Sequence, residues 1–349
     1  MRKVLLYIFA FSALASFGQS PGGVSGSLRV WYKANQGTAN TTNNSASGGW
    51  NDQSGNGYNA WVNGSPIYKD NATDNINFNP TIYLNGSSYF NLNNPVIRSG
   101  GYQFGNPIRN YTVIGVGIRE NGNYNIVFGD NANNGTGQAL AFGYKNSNTV
   151  ATITHWGSDL NLSGLDGYTT PSLSPFLLMG NFNQSTGRVL EEIRNNDFTR
   201  TSDGNTTPLD GYSGFHVGRT AAGGWGNYTG RISEVLVYQT ALSGLDKQKI
   251  YTYLALKYGL SLPADADGDA IPNEVISGSV REGDYVASDG TTIIWNYASQ
   301  GSAYHNDIAG IGRDDNSGLN QKQSKSQNPG TLVTFGLGSI ATTNNANSS

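Results

Sequence analysis

Between Leu28 and Tyr238, apolar residues come in short runs, many alternating with polar ones, and clusters of Gly, Asn, Asp and Pro separate them. A period of two puts alternate side chains on opposite faces of a strand, and turn formers end each run. The pattern predicts strands at Leu28–Lys33, Thr81–Leu84, Tyr111–Arg119, Tyr124–Phe128, Gln138–Tyr144, Val150–Thr154, Phe176–Phe182, Arg188–Ile193, Gly214–Val217 and Ile232–Tyr238. Many short strands at this spacing indicate an all-β fold, a sandwich or a barrel. In Tyr111–Arg119, the residues Thr112, Ile114, Val116 and Ile118 share one face. Gly115 and Gly117 fall on the other, where bare backbone admits a close neighbour or, the preferred expectation, sheet curvature.

One segment departs from this period. Ser243-Gly-Leu-Asp246 is a capping-box-like start, in which a side-chain oxygen satisfies an early amide. Lys247 to Tyr258 then carries Ile250, Tyr253, Leu254 and Tyr258 at helical spacing, and Gly259 supplies the stop. This helix is expected to pack against the end of the sandwich and close a first domain over residues 21–260. Residues 261–283 read as an acidic linker. A second, smaller β-rich module follows over 284–349, with strands expected near Asp284–Ala287, Thr291–Asn296, Asp307–Ile311 and Leu332–Leu337. It ends in ATTNNANSS, with no terminal helix or cap, so the natural protein is expected to continue.

The first twenty residues differ in kind. Arg2 and Lys3 precede an apolar stretch from Val4 to Leu14, and Ala15, Ser16 and Gly18 follow, the layout of a secretory signal peptide. The stretch is shorter than the ~20 residues a membrane span needs. Residues 1–20 are therefore expected to direct export, leaving the protein secreted or at the cell surface, with no membrane span. Cysteine is absent, which removes disulfides and attachment through a lipidated N-terminal cysteine. Charged residues make up 13%, with a formal net charge of −3. That balance argues against nucleic acid, whose phosphates demand a clustered basic surface.

The densest chemical signal is Asp265-Ala-Asp267-Gly268-Asp269-Ala-Ile271-Pro272-Asn273-Glu274. Calcium takes many oxygen ligands, and alternating carboxylates on a tight turn supply several. The stretch is similar to the acidic calcium repeats of the thrombospondin type 3 kind. That resemblance implies Asp265, Asp267 and Asp269 as side-chain ligands, the Ile271 carbonyl as another, and Asn273 or Glu274 as the completing one. Neither glycine nor glutamate falls where an EF-hand needs it, and a solvated acidic linker is the alternative. The Asp52–Asn59 turn is a lesser cation candidate, because Asp, Ser and Asn side chains in such loops mostly cap backbone groups. Trp50, Trp61, Trp156, Trp225 and Tyr228 are residues of the type that stacks on sugar rings, although aromatics also fill sandwich cores. Trp31 and Trp50 are assigned to the core. Trp225, within Ala221-Ala-Gly-Gly-Trp225-Gly226, is assigned with Tyr228 to an exposed ligand-binding loop.

Three stretches in order carry a wider resemblance. They are Trp50-Asn-Asp52-Gln-Ser54-Gly55-Asn56-Gly57-Tyr-Asn59-Ala60; Leu84-Asn-Gly86-Ser-Ser-Tyr89-Phe90; and Gly214-Phe-His216-Val-Gly218-Arg219 with Tyr228-Thr-Gly230-Arg231-Ile-Ser-Glu234-Val-Leu-Val-Tyr238. From about Gly26 to Leu260 the chain resembles the LamG-like (concanavalin A-like) jelly rolls of secreted bacterial multidomain proteins, which implies an all-β, two-sheet antiparallel jelly-roll sandwich with one short C-terminal helix. The second module, through Tyr285–Thr292, Tyr304–Asp315 and Leu319–Ser324, resembles an uncharacterised domain that follows such units. Glycosidases of the concanavalin A-like class carry paired carboxylates on one strand, as E-x-D-x-x-E, and this sequence has none. Glu191 and Glu192 are adjacent, hence on opposite faces, and cannot pair across a substrate. His155, His216 and His305 lack metal-ligand spacing. The resemblance implies a non-catalytic extracellular binding or adhesion module that recognises glycans, or a matrix or surface protein. The alternatives are a structural spacer in a large surface protein and an accessory domain of a secreted polysaccharide-degrading enzyme.

Overall fold

The computed structural model describes residues 18–92, 110–120, 122–130, 135–165, 174–194, 197–209, 214–220, 225–242, 244–304, 306–327, 330 and 333–349. Residues 1–17 of the expected export signal, the expected cap residue Ser243 and His305 lie outside the described residues.

The sandwich is built from β1 (Leu28–Lys33), β2 (Ser45–Ala46), β3 (Trp61–Asn63), β4 (Ile67–Lys69), β5 (Thr81–Asn85), β6 (Tyr89–Asn91), β7 (Asn110–Arg119), β8 (Asn125–Asp130), β9 (Leu140–Lys145), β10 (Val150–His155), β11 (Asp159–Ser163), β12 (Phe176–Asn183), β13 (Gly187–Arg194), β14 (Asp197–Asp203), β15 (Phe215–Val217) and β16 (Thr229–Tyr238). One sheet runs β14-β13-β12-β7-β16-β5-β4-β2, with β1 also paired to β16; the other runs β11-β10-β9-β8-β15-β6-β3. All pairings within them are antiparallel. Every strand expected here is present, with its ends displaced slightly. The unforeseen ones are very short (β2, β3, β4, β6) or polar (β11, β14), although β11 does alternate, burying Leu160 and Leu162 between exposed neighbours.

Both faces of the nine-stranded sheet are apolar. Tyr111 and Val113 of β7 face the other sheet, in a core that includes Trp50, Phe90, Phe142 and Tyr228. Ile114, Val116 and Ile118 belong to a second core on the opposite face. There α1 (Gly244–Tyr258) lays Ile250, Tyr253 and Leu254 against Leu177, Met179 and Leu236. The helix thus covers a sheet face and not the end of the sandwich, because an uncovered apolar face would cost roughly 1.5–3 kcal/mol per large side chain left in water.

Gly115 corrects the curvature expectation. A Cβ at this position would stand 2.6 Å from Cγ1 of Val127, on β8 of the facing sheet. The bare backbone is where the two sheets meet closely. Gly115→Ala is expected to cost about 1–3 kcal/mol through overpacking, measured by urea denaturation, and Val127→Ala in the same chain should recover part of that loss.

Residues after α1 form two-stranded hairpins: β17 (Val275–Ser277) with β18 (Val280–Arg281), β19 (Tyr285–Val286) with β20 (Ile293–Trp295), β21 (Gly312–Asp314) with β22 (Leu319–Gln321), and β23 (Gln323–Lys325) with β24 (Thr334–Gly336). The expected strand at Asp307–Ile311 is absent: Asp307 has φ 59°, outside the extended region, and pairing begins at Gly312. A helix, α2 (Tyr297–Tyr304), was not foreseen. Its signal was Asn296, whose side-chain oxygen accepts the Ser299 amide at 2.9 Å, followed by small residues and a glycine of weak helical preference. The module packs directly on the sandwich. Asn77 Nδ2 donates to Ser324 Oγ (3.0 Å), Asn79 Nδ2 to Gln321 Oε1 (3.1 Å), and Gln321 Nε2 to the Asn77 carbonyl (2.9 Å), all buried.

Candidate functional site

Two places gather chemistry: the outer face of the seven-stranded sheet and the acidic loop after α1. Strand register locates the first. Pairing carries one row from Trp61 through Asn91, His216, Gly129, Ala141 and Thr154 to Asp159. Neighbouring positions such as Phe90, Phe142 and Leu160 point into the core, so this row faces outward. Its middle is small because the chain crosses it. A Cβ on Gly129 would lie 2.7 Å from the Arg219 carbonyl, and Thr220 Oγ1 donates to the carbonyls of Asp130 (3.0 Å) and Leu140 (3.3 Å).

Past that crossing, Trp225 stacks on Tyr124 with centroids 5.5 Å apart and planes at 17°. Trp156 closes the other side at 5.7 Å and 52°. All three rings are half-buried. Lys145 Nζ stands 5.2 Å from the Trp225 centroid and 3.0 Å from Asp159 Oδ2, so a charged pair flanks the aromatic surface. Trp61, at the far margin of the same face, is 60% exposed. Nearby, Arg219 lies over Tyr89 at 4.6 Å, and Tyr89 meets the buried His216 edge-on.

Tyr228 requires correction. It is 0% exposed, within the inter-sheet core, and its hydroxyl reaches the Arg231 carbonyl. Residue parity explains the difference: Gly218, its backbone partner, sits on the core side against Leu84, and the Tyr228 ring follows it inward. Trp225 stands at the surface where Tyr228 does not. Trp31 and Trp50 lie in the core as expected, at 1% and 0% exposure.

In the acidic loop, carboxylate oxygens of Asp265, Asp267 and Asp269 lie within 4.8 Å of one another. Backbone bonds hold them there. Asp265 accepts the amides of Gly268 (2.6 Å) and Ala270 (2.8 Å), and Asp269 accepts that of Ile271 (2.8 Å). Gly268 makes the turn at φ 77°, in the left-handed region that favours glycine. A second triad, Asp267, Glu274 and Glu282, meets the same distance limit. Glu282 was not foreseen, since it lies beyond the motif and only the β17–β18 hairpin returns it to the loop. Negative charge on Asp269 first, with Asp267 adding to it, raises the pKa of the exposed Glu274; burial first and Asp267 second raise that of Glu282. Ile271 is 54% exposed. Asn273 Oδ1 and Glu282 Oε2 are buried without a hydrogen-bond partner. An all-oxygen donor set with orphaned acceptors fits the calcium that the sequence resemblance implies.

The Asp52 turn is taken up by its own backbone. Asp52 accepts the amides of Trp31, Ser54 and Tyr58, and Asn59 accepts that of Asp52. Glu191 and Glu192 do point to opposite faces, Glu191 to Lys247 (2.8 Å) and Glu192 to Arg119 (2.8 Å). Among the described residues, no helix is long and apolar enough to cross a membrane, which says nothing of a β-barrel.

Residues 246–349 match the family model of a domain of unknown function, DUF8202. The match begins inside α1 and covers the hairpin module. No curated protein matches the chain. Among solved structures, the chain is similar to domain 4 of AbnA, a GH43 extracellular arabinanase from Geobacillus stearothermophilus, in complex with arabinotriose. The identity is 15% and the TM-score 0.43, over 65% of this chain and 97% of that one. Trypanosoma rangeli sialidase gives 16% identity and a TM-score of 0.41, over 66% of this chain and 33% of its own length. The binding domain of botulinum neurotoxin DC in complex with SialylT gives 14% and 0.39, over 69% and 54%.

Proposed function

We propose that the chain is an exported carbohydrate-binding module of the LamG-like kind, which holds sugar on the outer face of its seven-stranded sheet. The Tyr124–Trp225–Trp156 cluster carries this reading. A pyranose presents an apolar C–H face, which packs on an aromatic ring, and a rim of hydroxyls, which needs donors and acceptors close by. Half-buried rings fixed by one another offer the first at little entropic cost, and Lys145 with Asp159 offers the second. Trp61 extends the same face toward the opposite sheet margin. The module presents this surface to a glycan of a matrix, a cell surface or a polysaccharide.

Affinity electrophoresis against a panel of soluble plant and microbial polysaccharides identifies the ligand, and calorimetry with its oligosaccharides measures binding. Trp225→Ala is expected to weaken binding about tenfold or more, roughly 1.4 kcal/mol, within the range of losing one aromatic stack. Its melting temperature should stay close to the parent's, because the ring lies outside both cores. Tyr228→Phe should leave affinity unchanged. Equal retardation of the parent and Trp225→Ala chains would refute the aromatic platform, and a parent chain retarded by no polysaccharide would favour a spacer.

A further inference from the structure

We infer that the acidic loop is one half of a two-part site for a hard divalent cation, Ca²⁺ by its ligand chemistry, and that Glu282 of the following hairpin is the other half. The β17–β18 hairpin pairs Val275 with Arg281 and Ser277 with Val280, and the Glu282 amide then donates to the Glu274 carbonyl at 2.9 Å. This return brings Glu282 beside Asp267 and Glu274, the three sharing the 4.8 Å limit. Asp267 belongs to both triads and joins them.

The orphan oxygen points to a ligand. Glu282 is 4% exposed. Its Oε1 accepts the Asp267 amide at 3.1 Å, while Oε2 is buried with no partner. An unpaired buried carboxylate oxygen is costly unless a donor or a cation meets it. The nearby ammonium is already engaged: Lys247 Nζ donates to Glu191 Oε1 and to the Ala266 carbonyl, each at 2.8 Å. A cavity of about 300 Å³ adjoins the cluster, with Asp267, Glu274, Glu282 and Lys247 in its wall. A cation seated between Asp267, Glu274 and Glu282 would meet the orphan oxygen and offset the mutual repulsion of the three acids.

Carboxylate and amide oxygens without His or Cys select Ca²⁺ or Mg²⁺ over zinc. A loop site with many oxygens suits the larger, geometrically tolerant ion. Bound there, Ca²⁺ would tie the loop that leaves α1 to the first hairpin of the following module. This inference is independent of the aromatic platform.

The test uses the full chain, with CaCl₂ and MgCl₂ as probes in calorimetry and thermal melting. Ca²⁺ is expected to bind and to raise the melting temperature reversibly to EDTA, with Mg²⁺ at least about tenfold weaker. Glu282→Gln keeps an oxygen for the Asp267 amide. It should lower Ca²⁺ affinity about tenfold or more, with a melting temperature in EDTA no lower than the parent's. If Glu282→Gln does not fold, Glu274→Gln, an exposed change in the same triad, carries the same expectation. A parent chain that binds no Ca²⁺, or a folded Glu282→Gln chain (Glu274→Gln in its stead) that binds as the parent does, overturns the inference.

Discussion

Glu234→Gln is expected to lower the unfolding free energy by about 3–5 kcal/mol, read from urea denaturation at pH 7. Glu234 is wholly buried between the nine-stranded sheet and α1. Trp31 Nε1 (2.6 Å) and the Tyr253 hydroxyl (2.9 Å) donate to its Oε1, and Lys257 Nζ (2.7 Å) and the Tyr258 hydroxyl (2.6 Å) to its Oε2. Removing the charge leaves the Lys257 ammonium buried without its counter-ion. Truncating one partner of such a pair is costly, whereas replacing both by apolar residues can be nearly neutral. Lys257→Met added to Glu234→Gln removes the stranded charge while the Gln oxygen still accepts from Trp31 and Tyr253, so it should recover much of the loss, and a double variant no better than Glu234→Gln would contradict this account. The acid side follows from the same contacts. Burial alone would raise the Glu234 pKa, but the Lys257 charge, then hydrogen bonds from Lys257, Tyr258 and Trp31, hold it below the ordinary carboxylate range. A depressed carboxylate contributes fully above its unfolded pKa of about 4.3, and its contribution fades as pH falls through the folded value.

Glu234 also marks the boundary of what the sequence discloses. Alternation over Ile232–Tyr238 identifies a strand but places Ile232, Glu234 and Leu236 on one face. In the structure Ile232 and Val235 both enter the inter-sheet core, because a bulge between Ile232 and Glu234 shifts the register against β7. An extra residue reverses parity for everything after it, and no residue type near Ser233 announces that. The long strands from β7 to β10, with β12 and β13, were legible because their apolar runs report real burial. The place of α1 was not, since an apolar stripe does not say which apolar surface it will meet. The same asymmetry runs through the candidate sites. The three aspartates of the loop were legible from their spacing, while Glu282 needed the hairpin. Trp225 was legible as a surface ring, but its partners Tyr124 and Trp156 come from distant turns, and Tyr228 was misplaced because its neighbour Gly218 faces the core.

Between pH 7 and pH 4 the chain should lose several kcal/mol of stability through two buried histidines. His155 and His216 are 1% and 3% exposed. Burial, with Arg188 adding to it, drives the His155 pKa down to about 4, although the Thr207 carbonyl and Asp203 oppose the shift. Burial and then Arg219 bring His216 to about 4. The tautomer of His155 follows from its partners: the Thr207 carbonyl at 2.9 Å can only accept, so Nδ1 carries the proton and Nε2 accepts from the Tyr111 hydroxyl at 2.9 Å. A proton added at Nε2 would face that hydroxyl inside the core. The unfolded chain, with histidine pKa near 6.5, binds more protons than the folded one between about 4 and 6.5. Stability is therefore complete above that window and falls as pH drops through it, by roughly 3 kcal/mol for each histidine. Against a typical total of about 5–15 kcal/mol the combined loss is large. Urea denaturation at steps between pH 4 and pH 7 measures the slope. His155→Gln and His216→Gln should each remove about half of it, whatever they cost at pH 7. The window also separates this effect from Glu234, whose contribution fades only at lower pH. A slope unchanged in both variants would assign the acid sensitivity to the carboxylates instead.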